Sequence, residues 1–303
     1  LFITKDCKGT SELVEKILAK DGSKNYLRRL QAYCDYENGD YVRGLQILND
    51  YFKIVTPEKM LPSDFEYHAN LLLKTKGDTT MALVDYQKAI DMDTSGDRWH
   101  LYREIADLQY NRKDQCGAAI SYKLYLDSLP STDANYASYL YKLGLSQYYC
   151  KTDSLRYANA EKTFVKITVA RPTALLGWFW SARAAEMQDP TQEQITADPS
   201  LATQYGKART YYEKYTELAA ADKEKNKKDL LKAYQYLAYT YFVSKEETLF
   251  RGIITKWLEL ETDPDKIKTI NEMNDAFGKE EPPTPGGGSP APPPTPNSGG
   301  GRH

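Results

Sequence analysis

Apolar side chains recur along this chain at steps of four and then three residues, the helical spacing that lines up one stripe. Each stripe opens on a small residue and ends five positions on at a Thr or Pro. Gly44, Leu48, Tyr51 and Thr56 set the pattern, and Ala82, Tyr86, Ala89 and Thr94 repeat it. Ala118, Tyr122, Tyr125 and Pro130 follow, then Ala160, Phe164, Ile167 and Pro172, then Ala208, Tyr212 and Tyr215, a copy that departs only at its last position, Ala220. A sixth copy keeps Gly252 and Pro264, but Lys256 and Glu259 stand where the apolar pair belongs, and Trp257 and Leu260 lie one residue out of register.

Upstream of each stripe lies a second helical stretch with its own short side chain twelve residues earlier: Ala32, Asn70 and Ala106 in the first three copies. Between the two stretches stand Asn38-Gly39-Asp40-Tyr41, Lys76-Gly77-Asp78 and Lys113-Asp114. There Gly is expected to supply left-handed dihedrals and Asp to cap the next helix. Each unit therefore reads as helix A, short turn, helix B.

The pattern resembles the tetratricopeptide repeat (TPR), a helix–turn–helix of about 34 residues. Leu140, Leu143 and Gly144 match its first block, followed by Ala160, Phe164 and Pro172; Trp178 and Ala182 match its aromatic and small positions; Tyr234, Leu237, Ala238 and Tyr241 give the first block of the last copy. The resemblance implies an all-α fold, an α-solenoid of about six stacked TPR-like units in a right-handed superhelix. One hairpin cannot bury its apolar stripe alone, so the copies must stack. The expected organisation is a partial N-terminal repeat at 1–24 (helix B of a truncated unit), a solenoid at 25–265, a C-terminal capping segment at 266–281 and a disordered tail at 282–303. The tail holds eight Pro and six Gly among its 22 positions and reads as a spacer or a Pro-rich ligand. Successive anchors lie 36 to 48 residues apart, longer than the consensus. The extra residues fall at 154–157, between Asp189 and Thr203, and at 221–229. With Asp189-Pro190 and Asp198-Pro199, the second insertion is expected to be a surface loop.

Composition narrows the function. Forty basic residues against 42 acidic ones give a net charge of −2, without the basic excess of a dedicated nucleic-acid binder. No run approaches the ~18 to 20 apolar residues of a membrane span. Beginning at Leu1 without a leader, the chain reads as a fragment or a processed product. Its 25 Tyr and three His are unusual. His68 and His100 each have one carboxylate a turn away, Asp64 and Glu104, and are expected to be surface contacts rather than metal ligands. With no HExxH, GxSxG or phosphate-binding loop, neither an enzymatic role nor a cofactor is expected.

The resemblance supplies the remaining expectations. Its concave face is lined by helix A, which assigns partner contacts to Arg29, Tyr33, Tyr36, Tyr67, Arg103, Asp107, Tyr110, Tyr141, Tyr148 and Arg183. Tyr and Arg dominate binding hot spots. The Lys/Asn/Arg clamp of co-chaperone TPR domains is absent, since Arg29 and Tyr33 replace its first members and Arg103 faces Asp107. The implied function is a protein-interaction scaffold holding a peptide, a helix or a partner subunit. The alternative is a glycan-binding envelope protein that stacks sugars on Trp178, Phe179, Trp180 and Tyr rings. The Gly-Trp-Phe-Trp run is similar to exported TPR proteins of Gram-negative envelopes, a resemblance that implies a periplasmic or cell-envelope location and allows a membrane-associated complex. In such a stack helix B starts near the end of the next helix A, which suits a Cys116–Cys150 disulfide and, on similar grounds, a Cys7–Cys34 pair. Four buried free thiols are the other reading.

Overall fold

The computed structural model describes residues 6–278, so the expected tail at 282–303 and His303 lie outside the described residues. Among the described residues the chain is all α-helical, without strands, and its helices pack in consecutive pairs as a TPR-like solenoid. It forms two compact units, one ending at Pro172 and one starting at Thr173.

The first unit opens with α1 (Cys7–Lys20), which packs against the helix that follows it. Four A/B pairs follow: α2 (Arg28–Asn38) with α3 (Tyr41–Ile54), α4 (Pro62–Lys74) with α5 (Thr79–Asp91), α6 (Leu101–Asn111) with α7 (Gln115–Ser128), and α8 (Tyr136–Tyr149) with α9 (Arg156–Ala170). The second unit pairs α10 (Leu175–Glu186) with α12 (Arg209–Ala219) around a short inserted α11 (Gln192–Ala197). It continues with α13 (Lys227–Val243), α14 (Glu247–Leu260) and α15 (Pro264–Ala276).

Every helix-B anchor of the first five copies is buried: Ala82, Ala118, Ala160 and Ala208 are 0% exposed, and so are Leu48, Tyr51, Tyr122, Phe164 and Tyr212. Their size sets the spacing of the pair. A methyl group on Gly44 would meet the Ala32 carbonyl at 3.1 Å, and one on Gly144 would press the Phe164 ring at 2.5 Å. Small residues on both helices thus allow the ~8 to 10 Å approach of packed helices. Polar stitches repeat beside these contacts. The Tyr86 hydroxyl donates to Asn70 (2.6 Å) and Tyr122 to Asp107 (2.5 Å), while Ser121 donates to Gln109 and Thr163 to Gln147, both at 2.7 Å.

Three details differ from the sequence pattern. In the second copy the small contact is Ala69, 0% exposed, rather than Asn70, whose side chain instead takes the Tyr86 hydroxyl. In the A–B turn of that copy Lys76 takes the left-handed backbone (φ 55°), as Lys113 (66°) and Lys245 (57°) do elsewhere, and only the first turn uses its glycine, Gly39 (87°). In the sixth copy the register slips by one: Ile253, Trp257 and Leu260 are buried at the four-and-three spacing, and Gly252 is exposed. The insertion expected as a loop contains α11, started by a capping box between Thr191 and Gln194.

A buried ionic knot joins the first two copies. Arg29 pairs with the fully buried Asp64 at 3.4 Å and donates to the Tyr51 hydroxyl, the Lys59 carbonyl and the Tyr26 carbonyl. Asp64 also accepts from the Tyr33 hydroxyl (2.5 Å), the Tyr51 hydroxyl (3.3 Å) and the Leu61 amide (2.8 Å), so it caps α4 while holding α2 and α3. His68, expected to be an exposed partner of Asp64, is buried between Asp85 (2.5 Å) and Asn49 (3.1 Å), since Asp64 is already saturated. Burial, reinforced by the Asp64 charge, pushes the Tyr51 phenol up to about 12 and raises Tyr33 as well. Burial also raises Tyr86, Tyr122 and Tyr236.

Three outcomes follow from this packing. Gly144→Ala should cost about 1–3 kcal/mol by overpacking against Phe164, whereas Gly252→Ala, with open space around it, should gain about 0.5–1 kcal/mol; denaturant unfolding reads both. Asp64→Ala should cost about 3–5 kcal/mol by stranding the Arg29 charge, whereas Lys53→Ala, which breaks an exposed contact to Asp50, should cost at most about 1 kcal/mol. Finally, the folded chain keeps its buried phenols protonated above their ordinary value of 10.0. The stability they confer is therefore complete below about pH 10 and lost as pH rises through the folded-state values, which a pH series of melting curves with tyrosinate absorbance would display.

Candidate functional site

Six of the ten residues assigned to a partner face remain half-buried on the A helices of the first unit: Tyr36, Tyr67, Arg103, Asp107, Tyr110 and Tyr141. Tyr67 is the best defined. It stacks on Tyr33 at 4.1 Å between ring centroids, meets the Tyr36 edge at 5.4 Å, and donates from its hydroxyl to Glu37 at 3.1 Å. On the next A helix Arg103 pairs with its neighbour Glu104, not with Asp107 as expected. Asp107 is held instead by Lys142 (2.6 Å) from α8 and by the Tyr122 hydroxyl. Tyr110 sits edge-on to Tyr122 at 6.3 Å, and Tyr141 lies against Phe164 at 6.1 Å. Between these rings, Glu66 takes Arg98 (3.3 Å) and His100 (3.5 Å). His100 is thus a surface contact of Glu66 rather than of Glu104.

The other four assignments do not hold, because these side chains are consumed by packing. Arg29 and Tyr33 are 6% and 3% exposed inside the Asp64 knot. Tyr148 is 5% exposed, wedged edge-on between Tyr149 (4.9 Å) and Tyr157 (5.0 Å). Arg183, in the second unit, is 6% exposed and pairs with Glu186 at 2.9 Å; that carboxylate also takes the Tyr212 hydroxyl and Lys232. Leu145, Tyr239 and Phe242 are core residues too. An arginine reads as a surface residue in a single sequence, and nothing local announces a carboxylate 35 positions downstream of Arg29.

The insertion of the second unit builds a site that spacing alone did not define. Asp189 accepts from the Tyr236 hydroxyl and from the amides of Gly206 (3.3 Å) and Lys207 (3.0 Å), and Tyr236 in turn accepts from the Ala208 amide (3.0 Å). Burial raises the Asp189 carboxyl above its ordinary value. This pin ties both ends of the insertion to α13 and leaves an open cavity of about 400 Å³ lined by Met187, Thr191, Gln194, Leu201, Gln204 and Lys207. Its Asp-Pro punctuation was legible; the role of Tyr236, 47 residues away from Asp189, was not.

Cys116, in the first turn of α7, is disulfide-bonded to Cys150 at the end of α8, with the Cα atoms 4.7 Å apart. In the chain-entropy picture a cross-link across 34 residues is worth about 3–4 kcal/mol. Cys7 and Cys34 are free and buried. No group of three or more His, Cys, Asp or Glu that could hold a metal occurs among the described residues. Nor, among them, is any helix long and apolar enough to cross a membrane.

No family model matches the chain, and no curated protein matches it. Among solved structures, the C-terminal part of a TPR repeat-containing protein from Cytophaga hutchinsonii is similar, at 29% identity and a TM-score of 0.50, over 88% of this chain and 96% of that one. A tetratricopeptide repeat protein from Parabacteroides merdae shows 16% identity and a TM-score of 0.40 over 82% of this chain and 98% of that one. Small-residue anchors buried between paired helices, the recurring ruler along the chain and the Cytophaga likeness converge on one description: an all-α, TPR-like solenoid.

Proposed function

We propose that the chain is a non-enzymatic scaffold that holds a peptide, a helix or a partner subunit on the helix-A face of its first unit. TPR-type relatives support a protein-interaction scaffold in general. The observation that carries the finer reading is the set of half-exposed rings on successive A helices, Tyr36, Tyr67, Tyr110 and Tyr141. Interleaved with them are the Arg103–Glu104 and Asp107–Lys142 pairs. Rings of this kind bury large area at low entropic cost and keep a polar tip for hydrogen bonding, and mixed charge at the rim sets register more than affinity. A location outside the reducing cytoplasm, in the periplasm or envelope, is supported by the Cys116–Cys150 bond, because such bonds persist where the compartment is oxidising.

The glycan-binding alternative needs flat rings open to a sugar. Trp180 is 8% exposed, and the half-buried Phe179 and Trp178 pack on Tyr215 (5.2 Å) and Tyr211 (6.5 Å), so the three rings form no fully open stacking platform. The protein-binding reading is the stronger.

Capture from lysate of the native host, followed by mass spectrometry, identifies the partner, and a glycan array tests the alternative. With the partner in hand, the double variant Tyr36→Ala/Tyr110→Ala should weaken binding by about tenfold to a hundredfold while melting within a few degrees of the parent. Tyr148→Ala, a core substitution, should melt early. Full affinity in the double variant would remove the helix-A face from the binding site.

A further inference from the structure

Two thiols stand outside the bonded pair. Cys7 begins α1 and Cys34 lies within α2; they are 8% and 1% exposed and interact with each other where α1 packs on α2, with Thr10 beside Cys34. Their placement parallels the existing disulfide in one respect, a cysteine in the first turn of one helix facing a cysteine of the next, although Cys34 lies inside α2 whereas Cys150 stands just past the end of α8. The burial pattern of α1 makes the parallel firm. Thr10 and Val14 are both 3% exposed and stand at the first two positions of the same four-and-three ruler, so α1 docks on α2 as any helix B docks on its successor.

We propose that Cys7 and Cys34 form a second disulfide, which cross-links α1 to α2. The oxidant is a low-molecular-weight disulfide or the disulfide of an oxidoreductase. A thiolate from one cysteine attacks the oxidant, forms a mixed disulfide and expels the first leaving thiol. The second cysteine then attacks its partner's sulfur and expels the other leaving thiol. Two protein thiols are oxidised to one disulfide, and one oxidant disulfide is reduced to two thiols. Cys7, the more exposed of the two, is the first to react. Burial pushes the Cys34 thiol up to about 12, so the docked pair holds little thiolate, and exchange waits on local detachment of α1. That detachment is easy, because α1 buries only Cys7, Thr10 and Val14. The consequence is a helix that is loosely held while reduced and fixed once oxidised.

The test uses the full chain with glutathione disulfide as oxidant. Before treatment, denatured alkylation should label two thiols; after prolonged native incubation it should label none. Intact mass should then show no added glutathione, and peptide mapping should recover a Cys7–Cys34 cross-link. Hydrogen exchange of α1 amides should slow by about tenfold or more on oxidation. A Cys34→Ser variant should carry one glutathione on Cys7 and no cross-link; if it fails to fold, Cys7→Ser should carry one on Cys34. Two thiols still alkylatable after incubation, glutathione on both cysteines of the parent chain, or α1 exchange unchanged by oxidation would each overturn the proposal. None of these readouts involves a binding partner, so failure here leaves the scaffold reading untouched.

Discussion

Everything in this molecule depends on how closely two helices can approach. Where Gly44 meets Ala32 and Gly144 meets Phe164, no room exists for another carbon. That approach brings the flanking Tyr, Phe and Leu rows of helix B into contact with helix A of its own copy and of the next. The hydrophobic burial that follows is then additive along the chain, since each copy touches chiefly its neighbours. Alanine contributes little burial of its own, and its value here is the space it leaves to others.

Close approach also drags polar groups into the interior, and the chain satisfies them by borrowing partners across copies. Asp64 is the clearest case, one carboxylate serving Arg29, two phenols and a helix start. Asp189 does the equivalent work for the insertion of the second unit. A buried charge with all its hydrogen-bond positions occupied adds little net stability but makes alternative registers costly, because a slipped pairing would leave it unmatched. In a repeat protein, where neighbouring copies look alike, such one-off knots are a physical means of telling one interface from the next.

How much of this was written in the sequence depends on the range of the interaction. The anchor ruler was legible because it is local: Ala118, Tyr122 and Tyr125 lie within two turns of one helix, and burial follows from spacing. The sixth copy was misregistered because its small residue, Gly252, is a decoy on the solvent side while Ile253 takes the inner place. The exposure of the residues proposed to meet a partner was half legible. Helix-A phase predicts which side a residue faces, and Tyr36, Tyr67 and Tyr110 do keep part of their surface open there. It does not predict whether a neighbouring copy covers that side, which decides Arg29, Tyr33 and Tyr148.

The turns between helices A and B hold a different lesson. Three of them put lysine, at positions 76, 113 and 245, into left-handed backbone that costs a side-chain-bearing residue on the order of 1 kcal/mol. The helices on either side are locked by their alanine contacts, and the short connection must bend where they dictate. Each of these corners is therefore a reserve of unrealised stability, and the architecture tolerates it three times over. The geometry of the paired helices has thus been kept in preference to the highest melting point the sequence could reach.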